Sequence, residues 1–326
     1  MLRDFTIDSV PMSETVISTS SYANRTVLVT GAYGFIGQHT CAKLIDAGAE
    51  VHAVTRLTRT PIKGLRQTHV VDLGHESDVA RLIETVQPDI VFHLASHVNG
   101  SRSIEEVGPT FENNLATTVH LLRHVTGTKC QRIVLAGSLE ESSADVPSSP
   151  YAASKTAATM YARLFHALYR TPITIARLFM VYGPGQQDAR KLVPYVSLSL
   201  LSGRRPSLSG GVRPVDWVYI DDVVEALLRC AIEPTLSGKT IDVGTGELTT
   251  VRRVAERIKE LVGGMNGPVF GAVEDRAAEQ VRAADPTAAA RLLGRPLVEL
   301  DAGLRLTVDW FRNSLEDGSI TSPDIG

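Results

Sequence analysis

Apolar residues in the first half of the chain gather into short runs. "RTVLVT" (25–30), "EVHAVT" (50–55), "THVVD" (68–72), "DIVFHLA" (89–95), "RIVLAG" (132–137) and "ITIARL" (173–178) are five to seven residues long and rich in branched side chains. Such runs predict buried strands. Between them the apolar residues fall at helical spacing, from Phe35 to a stop at Gly48 and over 76–87, 109–127 and 151–170. Parallel strands need crossovers of this length. The alternation therefore predicts an α/β fold, a doubly wound parallel sheet with helices on both faces. The regularity weakens after Arg177, where Pro184, Pro194, Pro206 and Pro214 break the chain, and "GKTIDVGTG" (238–246) supplies one further strand. The expected division is a sheet domain over 24–179 plus 214–242 and a smaller, discontinuous C-terminal lobe over 180–213 plus 243–312. A flexible leader over 1–23, rich in Ser and Thr near its end, and a flexible tail over 313–326 complete the chain.

Composition narrows the classes. Apolar residues make up 43 % of the 326 and charged residues 21 %, an ordinary globular balance. The formal net charge of −3 gives no positive field for nucleic acid or an anionic membrane. No apolar run approaches the ~20 residues that cross a bilayer. Cys41, Cys130 and Cys230 are odd in number and far apart, which fits a cytoplasmic location. The nine histidines form no ligand cluster with nearby Cys or Asp, so no metal is expected.

Chemistry enters at "VTGAYGFIGQHT" (29–40), where Gly31, Gly34 and Gly37 follow the first strand and open the first helix at Phe35 and Ile36. A glycine turn there holds a dinucleotide pyrophosphate: backbone comes close, and the helix N-terminus offers N–H groups and partial positive charge. The end of the second strand reports on the ribose. An acid there accepts from a 2′-OH, whereas an arginine suits a 2′-phosphate. Here it reads "AVTRLTR", with Arg56 and no acid, so NADP(H) is the preferred cofactor and NAD(H) the alternative.

In "SPYAASKTAA", Tyr151 and Lys155 lie one helical turn apart and share a face. Ser138 ends the "RIVLAG" strand at the sheet edge where ligands bind in such folds. An ammonium beside the phenol is expected to lower its pKa from ~10, so that it trades a proton near neutrality, with Ser138 holding the substrate oxygen.

Together these residues resemble the extended short-chain dehydrogenase/reductase superfamily, and more narrowly its nucleotide-sugar branch of epimerases, dehydratases and 4-ketoreductases. "VVDL" (70–73), "PDIVFHLAS" (88–96), "ENNLATT" (112–118), "RLFMVYGPG" (177–185), "VDWVYIDDVVEAL" (215–227) and "IDVGTGE" (241–247) extend the likeness in order along the chain. The resemblance implies a Rossmann-type fold. It places Asp72 and Leu73 by the adenine, and Leu94, Ala95 and Ser96 over the middle of the cofactor. It makes Tyr151 the acid/base and has Lys155 bond the nicotinamide ribose. It places Glu140, Met180, Arg213 and Arg276 toward a nucleotide-sugar substrate, Arg276 at the diphosphate, and His97, at the end of the fourth strand, is a further candidate for the substrate by position. It also implies a homodimer built on helices 109–127 and 151–170.

The reaction is less determined. Dehydratases of this branch usually carry Asp–Glu after the Ser/Thr, and this chain reads "GSLEES", with Leu139 in place of the acid. Met180 replaces the common Asn, and Val215 the common Arg, with Arg213 two residues earlier. Arg56 and the Ser-x-Glu-Glu run are similar to the 4-keto-6-deoxy-sugar reductases. The expectation is an NADP(H)-dependent reduction of a nucleotide-linked 4-keto-6-deoxyhexose. The alternatives are an epimerase or dehydratase with retained NAD and, more remotely, a non-catalytic dinucleotide sensor.

Overall fold

A computed structural model of the chain describes residues 21–141, 146–186, 188–274 and 281–320. Seven strands form the main sheet: β1 (Thr26–Thr30), β2 (Glu50–Thr55), β3 (Gln67–Val70), β4 (Ile90–His93), β5 (Arg132–Ser138), β6 (Ile173–Leu178) and, later in sequence, β10 (Thr240–Val243). The intervening β7 (Met180–Tyr182), β8 (Ser207–Leu208) and β9 (Pro214–Tyr219), with β11 (Leu248–Thr250) and β12 (Val269–Phe270), build the second lobe. The main sheet is ordered β3-β2-β1-β4-β5-β6-β10, and every pairing in it is parallel. The strand order reverses between β1 and β4, and the crevice above such a reversal is where doubly wound sheets bind ligands. All seven residues of β5 and all four of β4 are buried, as expected for strands covered on both faces.

The helices are α1 (Phe35–Asp46), α2 (Glu76–Val86), α3 (Val107–Thr110), α4 (Thr117–Val125), α5 (Pro150–Tyr169), α6 (Leu192–Leu201), α7 (Ile220–Ile232), α8 (Val251–Val262), α9 (Ala288–Leu293) and α10 (Leu300–Glu316). Cys41 and Leu44 of α1 and Val223 and Leu227 of α7 belong to a core that continues into the second lobe. Val79, Leu82, Leu121, Leu122 and Phe165, from α2, α4 and α5, fill the other core.

Four expectations are revised. Pro214–Tyr219 does not join the main sheet. It pairs with β7 and β11 in a three-stranded sheet, because Thr249 and Val181 sit opposite Val215 and Val218. Tyr22, assigned to the leader, is fully buried, and its hydroxyl donates to the Leu228 carbonyl of α7. The continuous helix expected over 109–127 is interrupted by a π turn at Phe111–Ala116. There the hydroxyls of Thr110, Thr117 and Thr118 bond back to the carbonyls four residues earlier. Such bonds loosen regular α geometry, and π turns are frequent at functional sites. The last helix also runs to Glu316, past the expected start of the tail at 313.

Candidate active site

The glycine turn divides its work. Gly31 has φ +67°, and a Cβ there would lie 2.7 Å from the Ala95 nitrogen. A Cβ on Gly37 would strike the Gly31 carbonyl oxygen and come within 2.8 Å of the Ala32 Cα. Both glycines let the turn pack against its own neighbours. Gly34 differs: it is exposed, and its virtual Cβ meets only the Gly31 oxygen, at 3.2 Å. It caps α1 without a side chain, and the first turn of α1 (from Phe35 and Ile36) carries no acid. The N–H groups of that turn are therefore left for an anion.

Beside this turn lies a cavity of about 310 Å³. Gly31, Gly34, Arg56, Asp72, Leu73, Ala95, Ser96 and Asn113 line it, with Tyr33 of the turn itself and Val54 and Thr55 at the end of β2. Most of the residues expected at the cofactor thus converge, with Leu94 half-buried in the adjoining core. Arg56 is exposed and held by the Asn113 side chain at 2.6 Å. The π turn presents Asn113 to this cavity and Asn114, the next residue, to the interior.

Ser149 starts α5 by accepting from the Ala152 N–H, and Pro150 fixes the first helical φ. This start sets Tyr151 and Lys155 against Ser138. The Ser138 and Ser96 hydroxyls act to lower the Tyr151 pKa. The expected lowering of its pKa is not what this arrangement gives. Burial pushes Tyr151 up to about 12, with the Glu140 and Glu141 carboxylates acting in the same direction against the hydrogen bonds. Burial also pulls Lys155 down to about 8, and its ammonium donates to the Ala136 carbonyl rather than to the phenol.

Sequence reasoning missed the support around Ser138. Glu141 is 4 % exposed, and its Oε1 accepts from the Ser138 N–H at 2.8 Å. Its Oε2 pairs with Arg177 Nε at 3.3 Å, and Arg177 in turn pairs with Asp242 at 2.7 Å. Arg282 of the second lobe reaches the Glu141 carbonyl at 3.4 Å. Of the two glutamates, Glu141 therefore holds the strand end, while Glu140 lines a small cavity with Gly100, Arg102, Leu139, Ser148, Ser149 and Arg213. Arg102 was also missed. Its only signal is a position in the loop after a parallel strand, where such folds place ligand contacts.

Among the remaining candidates, His97 bonds Glu106 at 2.7 Å, and Met180 is half-buried on β7. Arg276 lies outside the described residues. His93 is buried in the core and bonds Thr30 at 2.8 Å and Thr118 at 3.1 Å. Among the described residues no group of three or more His, Cys, Asp or Glu could hold a metal ion. No helix among them is long and apolar enough to cross a membrane.

Comparison with known proteins supplies the family. Residues 27–244 match the profile of the NAD dependent epimerase/dehydratase family. The chain belongs to that family. It is similar to a UDP-glucose 4-epimerase of Mycolicibacterium smegmatis, 30 % identical over 88 % of this chain and 98 % of the relative. A probable dTDP-glucose 4,6-dehydratase of Sinorhizobium fredii is also 30 % identical, over 90 % and 93 % of the two chains. Among solved structures it is similar to the UDP-glucose 4-epimerase of Thermotoga maritima with UDP-glucose: TM-score 0.80, 29 % identity, covering 89 % of this chain and 99 % of that one. The α/β sheet with its smaller C-terminal sheets is the architecture of these NAD-dependent nucleotide-sugar enzymes.

Proposed function

We propose that the chain is a nucleotide-sugar 4-epimerase that retains NAD through its cycle. One observation carries the choice within the family: Leu139, 9 % exposed, stands directly after Ser138, where dehydration needs an ionising group. Oxidoreduction at a carbinol lacks nothing in the Ser138, Tyr151 and Lys155 set, whereas elimination of water has Glu140 alone. The uncapped α1 N-terminus beside a cavity of about 310 Å³ fits a dinucleotide. Gly34, Phe35 and Ile36 would hold its pyrophosphate, Asp72 and Leu73 its adenine, and Lys155 its inner ribose. When bound, the nicotinamide supplies reversible hydride acceptance at the carbinol carbon. Tyr151 exchanges the proton of the carbinol oxygen, Ser138 donates a hydrogen bond to that oxygen, and Lys155 places positive charge under both. Two chains would pair through α5, where Met160, Leu164 and Leu168 form an exposed apolar stripe at helical spacing. Light scattering of the purified protein reports that state.

The test is to incubate the protein with UDP- and dTDP-linked hexoses and follow mass and C4 configuration. A product of unchanged mass and inverted C4 is expected, with nicotinamide still bound after dialysis. A product lighter by one water overturns the reading.

A second reading, NADP(H)-dependent reduction of a 4-keto-6-deoxy sugar, is favoured by Arg56 directly after β2, whose C-terminal end carries no acid. On that reading Arg56→Asp shifts affinity from NADPH toward NADH. A wild type that already prefers NADH removes it.

A further inference from the structure

The loop that leaves β4 connects the two cavities. Ala95 and Ser96 line the larger one, and Gly100 and Arg102 line the smaller one beside Leu139, Glu140 and Arg213. Residues 94–103 form no helix or strand, so side chains have to hold the loop in place. They do so at separate points. Asn114 takes the near half: its Oδ1 accepts from the His97 N–H at 2.6 Å, and its Nδ2 donates to the His97 carbonyl at 3.1 Å. Glu106 takes the far half. It ends a short 3₁₀ turn (Ile104–Glu106), and its two carboxylate oxygens are divided between two residues of the loop. His97 Nε2 lies 2.7 Å from Oε2, and Asn99 Nδ2 donates to Oε1 at 2.6 Å. A carboxylate only accepts, so the His97 nitrogen is the donor. The Asn99 amide has one orientation, because its Oδ1 also accepts from the Ser101 N–H at 3.0 Å. Beyond it, Arg102 Nε donates to the Ser148 carbonyl at 2.9 Å, in the residues that lead into α5.

We infer that Glu106 is a positioning residue for the sugar of the proposed substrate: through His97 and Asn99 it holds residues 100–102 as one wall of the smaller cavity. That cavity adjoins the reacting oxygen's site, because Leu139 and Glu140 follow Ser138 directly. A sugar whose carbinol reaches Ser138 and Tyr151 therefore has further hydroxyls beside this wall. Ordering a loose loop at the moment of binding would cost affinity, and a loop already clasped avoids that cost. On this inference His97 serves the substrate through the loop, since its ring is committed to Glu106. The dinucleotide side of the loop does not depend on Glu106, because Asn114 holds the His97 backbone. Glu105, next to it in sequence, is exposed and provides a control.

The inference rests on the nucleotide-sugar reading, and its test compares ligands that differ only by the sugar. The full chain, saturated with NAD, is titrated calorimetrically with UDP-glucose and UDP, and with dTDP-glucose and dTDP. Glu106→Ala removes both acceptors. It is expected to weaken the sugar-bearing ligand about tenfold, the equivalent of one hydrogen bond to a charged group, and to leave the bare nucleoside diphosphate unchanged. Glu106→Gln keeps the clasp: its amide oxygen accepts from Asn99, and its amide N–H reaches His97 Nε2 in the other tautomer. That variant and Glu105→Ala are expected to bind as wild type does. If Glu106→Ala fails to fold, Asn99→Ala, which removes one arm of the clasp, must show the same selective loss. A merely structural role would lower the melting temperature and weaken UDP and UDP-glucose alike. Unchanged affinity for the sugar-bearing ligand, or equal loss with and without the sugar, overturns the clasp and leaves the epimerase reading standing. Glu106→Gln as weak as Glu106→Ala overturns it too. A wild type that binds neither UDP-glucose nor dTDP-glucose overturns the nucleotide-sugar reading, and the clasp with it.

Discussion

At the α1 turn, Gly31 and Gly37 are held by backbone atoms that any side chain would strike. Around Glu140, Arg102 and Arg213 nothing of the kind applies: three side chains from separate loops meet at a small cavity. The first region is specified by what the backbone forbids, the second by what long-range packing happens to bring together. A cofactor common to many enzymes can be served by the first kind of constraint. A particular sugar has to be selected by the second. The same contrast separates Glu141, tied to the Ser138 N–H and to Arg177, from Glu140 next to it in sequence.

The largest expected effect lies where the two regions meet. Tyr151→Phe removes the proposed proton carrier and should lower kcat by roughly 10²–10⁴-fold. Dinucleotide affinity, measured by fluorescence titration, should stay near wild type. A variant that keeps a tenth of the activity would move the acid/base role elsewhere, with Glu140 next to test.

The glutamates come second. Glu141→Ala strips Arg177 of one carboxylate and leaves the Ser138 N–H unpaired inside the protein. Removing one partner of a buried ion pair costs about 3–5 kcal/mol. Because Asp242 still holds Arg177, the lower end is expected in denaturant unfolding. Glu140→Gln should leave the unfolding midpoint unchanged and act on turnover alone. Equal loss of stability in both variants would erase the distinction drawn between them.

The glycines sharpen the comparison further. Gly37→Ala forces a methyl against the Gly31 carbonyl and should cost about 1–3 kcal/mol by overpacking. Gly34→Ala meets only one oxygen, at 3.2 Å, so its effect should fall on dinucleotide affinity rather than on melting temperature. If both act on stability alone, Gly34 is a packing glycine as well and the anion site has to be placed elsewhere.

This division explains what the sequence made legible. The strands and most helices follow from apolar periodicity, a local property. Gly31, Gly34 and Gly37 announce themselves because three glycines recur at three-residue spacing where the first strand gives way to the first helix. The Tyr151–Lys155 pair was readable from helical spacing, but the state of the phenol was not. Its pKa depends on burial and on Ser96, and Ser96 lies 55 residues away in sequence. Asn114, Glu141 and Arg177 stood in motifs that the resemblance quoted, but their buried partners were not legible, since a polar residue reads as surface until its partners are known. The shift of Pro214–Tyr219 to the second sheet has the same origin: a strand's pattern does not name its neighbour.

The smallest effect concerns the floor beneath the site. His93 is fully buried between Thr30 and Thr118, and burial, with Lys155 nearby, lowers its pKa from the ordinary 6.5 to about 3. The unfolded chain takes up this proton near 6.5 and the folded chain only near about 3. Between those values the unfolded state binds more protons, so stability falls as the pH falls. One such group contributes at most about 1.4 kcal/mol per pH unit. His93→Gln offers the two threonines a donor and an acceptor without an ionising group. It should therefore flatten the acid side of a plot of unfolding free energy against pH, while leaving the dinucleotide affinity at neutral pH nearly unchanged. A variant whose stability declines as steeply as wild type between pH 6 and 4 would assign the acid sensitivity to other groups, and the hydrogen-bonded His52–His69 pair on β2 and β3 is then the next one to replace.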